Sequence, residues 1–189
     1  MKFLTLVMIA GLAHGAANAC EPLDPKNVAV TVSAIATDEG LDKNLALAVA
    51  EVESATGQNQ VSEAGATGIM QLMPSTAADY GLTDRCDHEA NIRAGVRYLK
   101  KLYDEFDDPL LMLAAYNAGP ERIYQKGGIP EFPETAKYIV KVMNRWKLNA
   151  KASEAKLKRG DPSPSGAEQA IARVTPSSPW RDSHVWSAE

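Results

Sequence analysis

From Asn27 to Lys147 one pattern dominates the chain: apolar residues return at helical spacing, glycines and prolines break the runs, and no stretch alternates apolar and polar residues at strand length. Such a pattern buries helix against helix, and the fold class it predicts is all-α. Val28 to Thr37 reads as an opening helix that stops near Gly40. Asp42 caps a second helix from Lys43 to about Ser54. Gly68 to Leu72 is expected as a short helix, ended because Pro74 has no N–H to continue it, with a helical restart at Ser75. Glu89 to Phe106 is the longest amphipathic run, with Ile92, Val96, Leu99, Leu102 and Tyr103 on one side and Arg93, Lys100 and Lys101 elsewhere. Pro109 opens a nearly all-apolar helix from Leu110 to Tyr116, Gly119-Pro120 starts another turn, and Pro133 leads a helix from Glu134 to Leu148. Beyond Lys151 the composition changes. Gly160-Asp161-Pro162-Ser163-Pro164-Ser165-Gly166 reads as a linker, and residues from about 150 to 189 are expected to be largely disordered.

The length of 189 residues and a hydrophobic fraction of 45% suit one globular domain with appendages. The beginning of the chain reads as a secretory signal peptide: Lys2, then an apolar run from Phe3 to Ala10, then the small residues Ala17-Asn18-Ala19 at a cleavage site. The run is too short to cross about 30 Å of hydrocarbon, so no transmembrane anchor is expected after cleavage. Removing residues 1–19 takes away one lysine and leaves 19 basic against 24 acidic side chains, a formal net charge of −5. That balance does not suggest nucleic-acid binding. In the oxidising compartment that export implies, the two cysteines Cys20 and Cys86 favour a disulfide, which would add ~3 to 5 kcal/mol by closing so long a loop. Cys20 also falls at the new terminus, where lipid acylation is the rival fate. His14, His88 and His184 have no ligand spacing, so neither a metal nor another cofactor is implied.

The chemistry concentrates at Glu53. A general acid that protonates a departing sugar oxygen must hold its proton near neutral pH, which requires an apolar setting. On a helical projection Glu53 falls between Ala46 and Val49, near Leu45 and Val52, whereas Glu51 points toward Asn44. The negative end of the helix dipole pushes the Glu53 pKa in the same direction as burial. Most glycosidases need a second carboxyl group about 5 to 9.5 Å away. Glu63, in a loop, and Glu134, at a helix start, do not make a clear partner.

Glu53-Ser54, then Gly65-Ala66-Thr67-Gly68-Ile69-Met70-Gln71-Leu72-Met73-Pro74, then Ala115-Tyr116-Asn117-Ala118-Gly119, then Glu134-Thr135-Ala136-Lys137-Tyr138 form four ordered blocks. Together they resemble the lytic transglycosylase (SLT, goose-lysozyme-like) domain of bacterial cell-wall enzymes, over residues 40 to 147. The resemblance implies a lysozyme-like helical domain with a substrate cleft, followed by a flexible tail: signal peptide 1–19, catalytic domain 20–148 and tail 149–189. It implies that Glu53 is the single acid and base, acting on peptidoglycan glycan strands to leave an anhydromuramic end without adding water. The substrate's own N-acetyl carbonyl would stand in for a second carboxylate. Position by position, Ser62 matches a substrate-contacting serine, Gln71 and Met73 match groove residues, Tyr116 and Asn117 match a cleft-lining pair, and Glu134 and Tyr138 fall on the last motif. The chain departs from the family at Thr56-Gly57-Gln58, where many relatives carry an aromatic residue followed by Asn-Pro.

The small size and tail are similar to the specialised transglycosylases that open the wall for type IV secretion or conjugation machines, which implies a periplasmic location. Trp180 and Trp186, among Arg181, Asp182 and His184, are a candidate docking motif for components of such a machine. Two alternatives stay open. One is a water-using muramidase, which needs a second carboxylate; the other is a non-catalytic wall-binding scaffold of a secretion complex.

Overall fold

A computed structural model describes residues 20–58 and 60–160. The described elements are seven helices: α1 Pro25–Asp38, α2 Lys43–Ser54, α3 Pro74–Asp79, α4 His88–Phe106, α5 Pro109–Ala118, α6 Pro120–Lys126 and α7 Pro133–Arg159. The all-α expectation holds. Local chemistry starts most of them. Asp24, Asp42, Asp87 and Asp108 each cap a helix, their carboxylates accepting from backbone N–H groups of the first turn. Proline at the first helical position opens α1, α3, α5, α6 and α7, where its missing N–H is not needed.

The core joins α2, α5 and the inner sides of α1, α4 and α7. Leu45, Ala46 and Val49 of α2, Ile92, Val96 and Leu99 of α4, and Met112 to Ala115 of α5 are all fully buried. Helices α2 and α7 share the largest helix–helix interface. On the outer side of α1, Glu39 accepts from both Arg93 and Arg97 of α4 at 3.1 and 2.9 Å and fastens the two helices together.

Three expectations need correction. Gly68 to Leu72 is not a helix. Gly68 and Gln71 have φ of 86° and 47°, which no α-helix accommodates. Instead Thr67 and Leu72 exchange backbone bonds at 3.1 and 3.0 Å and close a tight turn over residues 68–71. Pro74 opens α3 rather than ending a helix. The third correction is the domain boundary expected at 148, which falls inside α7. That helix runs on to Arg159 because its next turns pack on α2. Asn149 donates to Asn44 O and to Glu51 Oε2 at 3.4 and 3.3 Å, and Ser153 donates to Asn44 Oδ1 at 2.9 Å. Residues 1–19 and 161–189, with the expected signal peptide and the Trp180 and Trp186 motif, lie outside the described residues. No described helix is long and apolar enough to cross a membrane.

Candidate active site

Glu53 is the penultimate residue of α2, one turn above fully buried Val49 and Ala50. The residue is half-buried by surface area, yet its carboxyl is enclosed enough that desolvation raises its pKa from 4.5 to about 7. The Tyr138 hydroxyl opposes part of that rise by acting as a donor toward the carboxylate. Its geometry falls short of a full hydrogen bond, and the buried hydroxyl has no other partner among the described residues. Among the described residues, the groups that shift the Glu53 pKa include no second carboxylate. Burial, followed by the charge of Glu53, raises the phenol pKa values of Tyr116 and Tyr138 well above 10, so both stay neutral donors.

Around the acid, three helices grip the turn at 67–72. From α2, the Ser54 hydroxyl donates to Ile69 O at 2.8 Å and accepts from Gly57 N at 2.9 Å. From α4, Asn91 Oδ1 accepts from Met70 N at 2.8 Å, while its Nδ2 donates to Thr67 O and Arg85 O, both at 3.1 Å. From α5, the Tyr116 hydroxyl donates to Met70 O at 2.7 Å. Contact is close enough to dictate residue type. A Cβ on Gly68 would lie 2.2 Å from Asn91 Nδ2, and one on Gly95 of α4 would lie 2.5 Å from Met70 Cβ. Arg85 completes the frame by donating to Gly65 O.

The residues carried over from the motifs separate into two groups. Glu53, Tyr116 and Tyr138 come together electrostatically. Asn117 joins α5 to α7, its Oδ1 accepting from the Thr135 hydroxyl at 2.8 Å. Ser62 is committed locally, its hydroxyl accepting from Ala66 N at 2.9 Å, and Gln71 donates to Gly68 O in its own turn. Met73 is 42% exposed ahead of α3, and Glu134 is exposed in the first turn of α7. Asn91 and Gly95 escaped the sequence reading, and Ser54 was read only as part of a motif, although all three contact the turn at 67–72. Asn91 left a signal: it is a polar residue one helical turn before Gly95 and two before Leu99, on the buried stripe of α4.

The disulfide pairs Cys20 with Cys86, with Cα atoms 5.0 Å apart. It ties the segment before α1 to the loop before α4, and the loop that follows Glu53 hydrogen-bonds to the same segment. Gln60 donates to Glu21 O at 3.0 Å and Gln58 to Leu23 O at 3.4 Å. The described residues contain no group of His, Cys, Asp and Glu able to hold a metal.

Fold and site together define a class: a lysozyme-like helical domain with a half-buried glutamate of raised pKa in the last turn of α2. Residues 31–139 match the family model of the transglycosylase SLT domain, and the chain belongs to that family. Among its relatives, a membrane-bound lytic murein transglycosylase F of Desulfosudis oleivorans is 39% identical over 57% of this chain and 24% of its own length. Its namesake from Alcanivorax borkumensis is 31% identical over 79% of this chain and 33% of its own. The fold is similar to that of an inactive mutant of the lytic transglycosylase Slt from Pseudomonas aeruginosa, with a TM-score of 0.57 and 29% identity over 71% of this chain and 25% of that one. This chain therefore spans a quarter to a third of the length of these relatives.

Proposed function

We propose that this protein is a periplasmic peptidoglycan lytic transglycosylase that cleaves the bond between N-acetylmuramic acid and N-acetylglucosamine. The observation that carries the proposal is the Glu53 carboxyl at the end of α2, whose burial raises its pKa to about 7, with no carboxylate among the described residues that shift it. A protonated Glu53 gives its proton to the glycosidic oxygen as the C1–O bond breaks, and the N-acetyl carbonyl of the muramic acid covers the positive charge at C1. The Glu53 carboxylate then takes the proton of the C6 hydroxyl on the same sugar, and O6 closes on C1. The product is a 1,6-anhydro end. Glu53 recovers its proton and no water is consumed. The Tyr138 hydroxyl is suited to steady the carboxylate between the two transfers.

The same reading assigns substrate contacts to groups with unspent donors: the Ser62 hydroxyl proton and the Asn117 Nδ2 amide. Met73, Gln71 and Glu134 complete the cleft, and Tyr116 holds its floor. Names of the relatives support the substrate, since those quoted above are murein transglycosylases. A role in opening the wall locally for a secretion or conjugation apparatus is the narrower part of the proposal. It is supported by the expected export signal and by the Trp180 and Trp186 docking motif of the sequence. Digesting purified peptidoglycan with residues 20–189 and reading the soluble muropeptides by mass spectrometry tests the chemistry. Anhydro ends, lighter than reducing ends by one water, are expected. Reducing ends would make the protein a muramidase, and the absence of product from a folded protein would favour a scaffold.

A further inference from the structure

Charge is unevenly spread along this chain. Helix α7 carries eight basic and two acidic side chains, and subtracting these from the chain's 20 basic and 24 acidic residues leaves 12 and 22 elsewhere. The excess is sorted by face. Thr135, Tyr138, Ile139 and Val142 point into the core, followed by Asn149 and Ser153 on α2. Lys137, Lys141, Lys151 and Lys158 are exposed on the opposite side at 100° per residue, and none forms an ion pair with a described residue. Val140 and Leu148 lie on this outer face too, 59% and 58% exposed. Glu134 and Glu154 fall to either side of it. From Lys137 to Lys158 the row extends about 30 Å.

We propose that the outer face of α7 docks on an anionic phospholipid bilayer. A band of ammonium groups about 100° wide with aliphatic side chains among them fits a plane of phosphate headgroups over acyl chains: the lysines meet the phosphates, and Val140 and Leu148 enter the boundary. A carbohydrate strand has no apolar phase to receive those two side chains. The distal part of the row, Lys151 and Lys158, lies roughly 140° to 160° around α7 from Tyr138, away from a strand bound beside Glu53. The acidic remainder of the molecule is repelled by the same membrane, which turns α7 toward the lipid. The inference stands on the surface of α7, and its test reads binding, so its outcome is separate from that of the cleavage reading.

The test sediments residues 20–189, which hold every described helix and the disulfide, with vesicles of phosphatidylcholine, with or without phosphatidylglycerol, at low and high salt. Binding is expected only with phosphatidylglycerol and should weaken as salt rises. The variant Lys137→Glu/Lys141→Glu/Lys151→Glu should bind at least tenfold more weakly, since one basic residue near an anionic surface is worth about fivefold. The corresponding Lys→Gln variant should fall between, and Leu148→Ser should lower the binding that survives high salt. Both chain ends are the same in every variant, so lipid affinity of the ends cancels, and thermal unfolding checks that each variant is folded. Equal binding by parent and triple variant, or no binding to the anionic vesicles, overturns the proposal. So does charge-dependent retention on peptidoglycan sacculi without vesicle binding, which would make the occupant a wall polymer. Self-association that the triple variant abolishes would make it a second copy.

Discussion

Replacing Glu53 by glutamine separates two consequences of one burial. The exchange removes the transferable proton, so cleavage of peptidoglycan should fall by at least a thousandfold, a loss of about 4 kcal/mol of transition-state stabilisation. Stability should move the other way. Because the folded pKa of about 7 exceeds the unfolded value of 4.5, the folded state binds more protons than the unfolded state between those limits, and stability declines as pH rises through that window. Glu53→Gln should therefore match the parent at pH 4 and exceed it at pH 8 by up to about 3 kcal/mol in urea unfolding. The same raised pKa places the alkaline limb of the cleavage profile near pH 7. Tyr138→Phe removes the group that lowers the Glu53 pKa, and that limb should shift upward. The local setting of Glu53 was legible in the chain, because Ala46 and Val49 precede it at helical spacing. Tyr138 was legible only through a motif, since its effect on the acid requires α7 to cross α2.

Among the elements, the turn at 67–72 shows best where pattern reading failed. Gly68 to Leu72 look like a short helix, but the two positive φ values and the grip of Ser54, Asn91 and Tyr116 are long-range facts. Asn91→Leu should destabilise the fold by about 3 to 5 kcal/mol, because it strands the Met70 N–H and the Arg85 carbonyl and leaves Thr67 O with only its bond from Leu72 N. Gly68→Ala should be as damaging, since a Cβ there meets Asn91 and the Arg85 carbonyl at a φ that disfavours alanine. Denaturant midpoints measure both effects. Tyr116→Phe tests whether that hydroxyl holds the floor: it should slow cleavage and lower stability together, by about 1 to 2 kcal/mol. Helix starts, by contrast, were readable to within a few residues, because Asp caps and first-turn prolines act within one turn. The Asp24-Pro25 start of α1 was present in the chain and went unread.

For the whole molecule, the Cys20–Cys86 bond closes a loop across 66 residues and ties the segment before α1 to the loop before α4, while Gln58 and Gln60 bond the loop after Glu53 to that segment. Its reduction should lower stability by about 4 kcal/mol, read as a drop in melting temperature under dithiothreitol. Truncation after Leu148 should also destabilise the fold, because it removes Asn149 and Ser153 from α2. Sequence alone determined the all-α class, because helical periodicity and capping act through local chemistry; it offered Glu53 as a candidate acid and Cys20 with Cys86 as a candidate pair, and the structure joins those two cysteines. Only the tertiary structure decided how far α7 extends, that residues 68–71 form a turn, and which side chains hold that turn beneath Glu53. Each of those depends on contacts between residues distant along the chain, such as Asn91 with Met70 or Asn149 with Glu51, whose free energy exists only once the helices have packed.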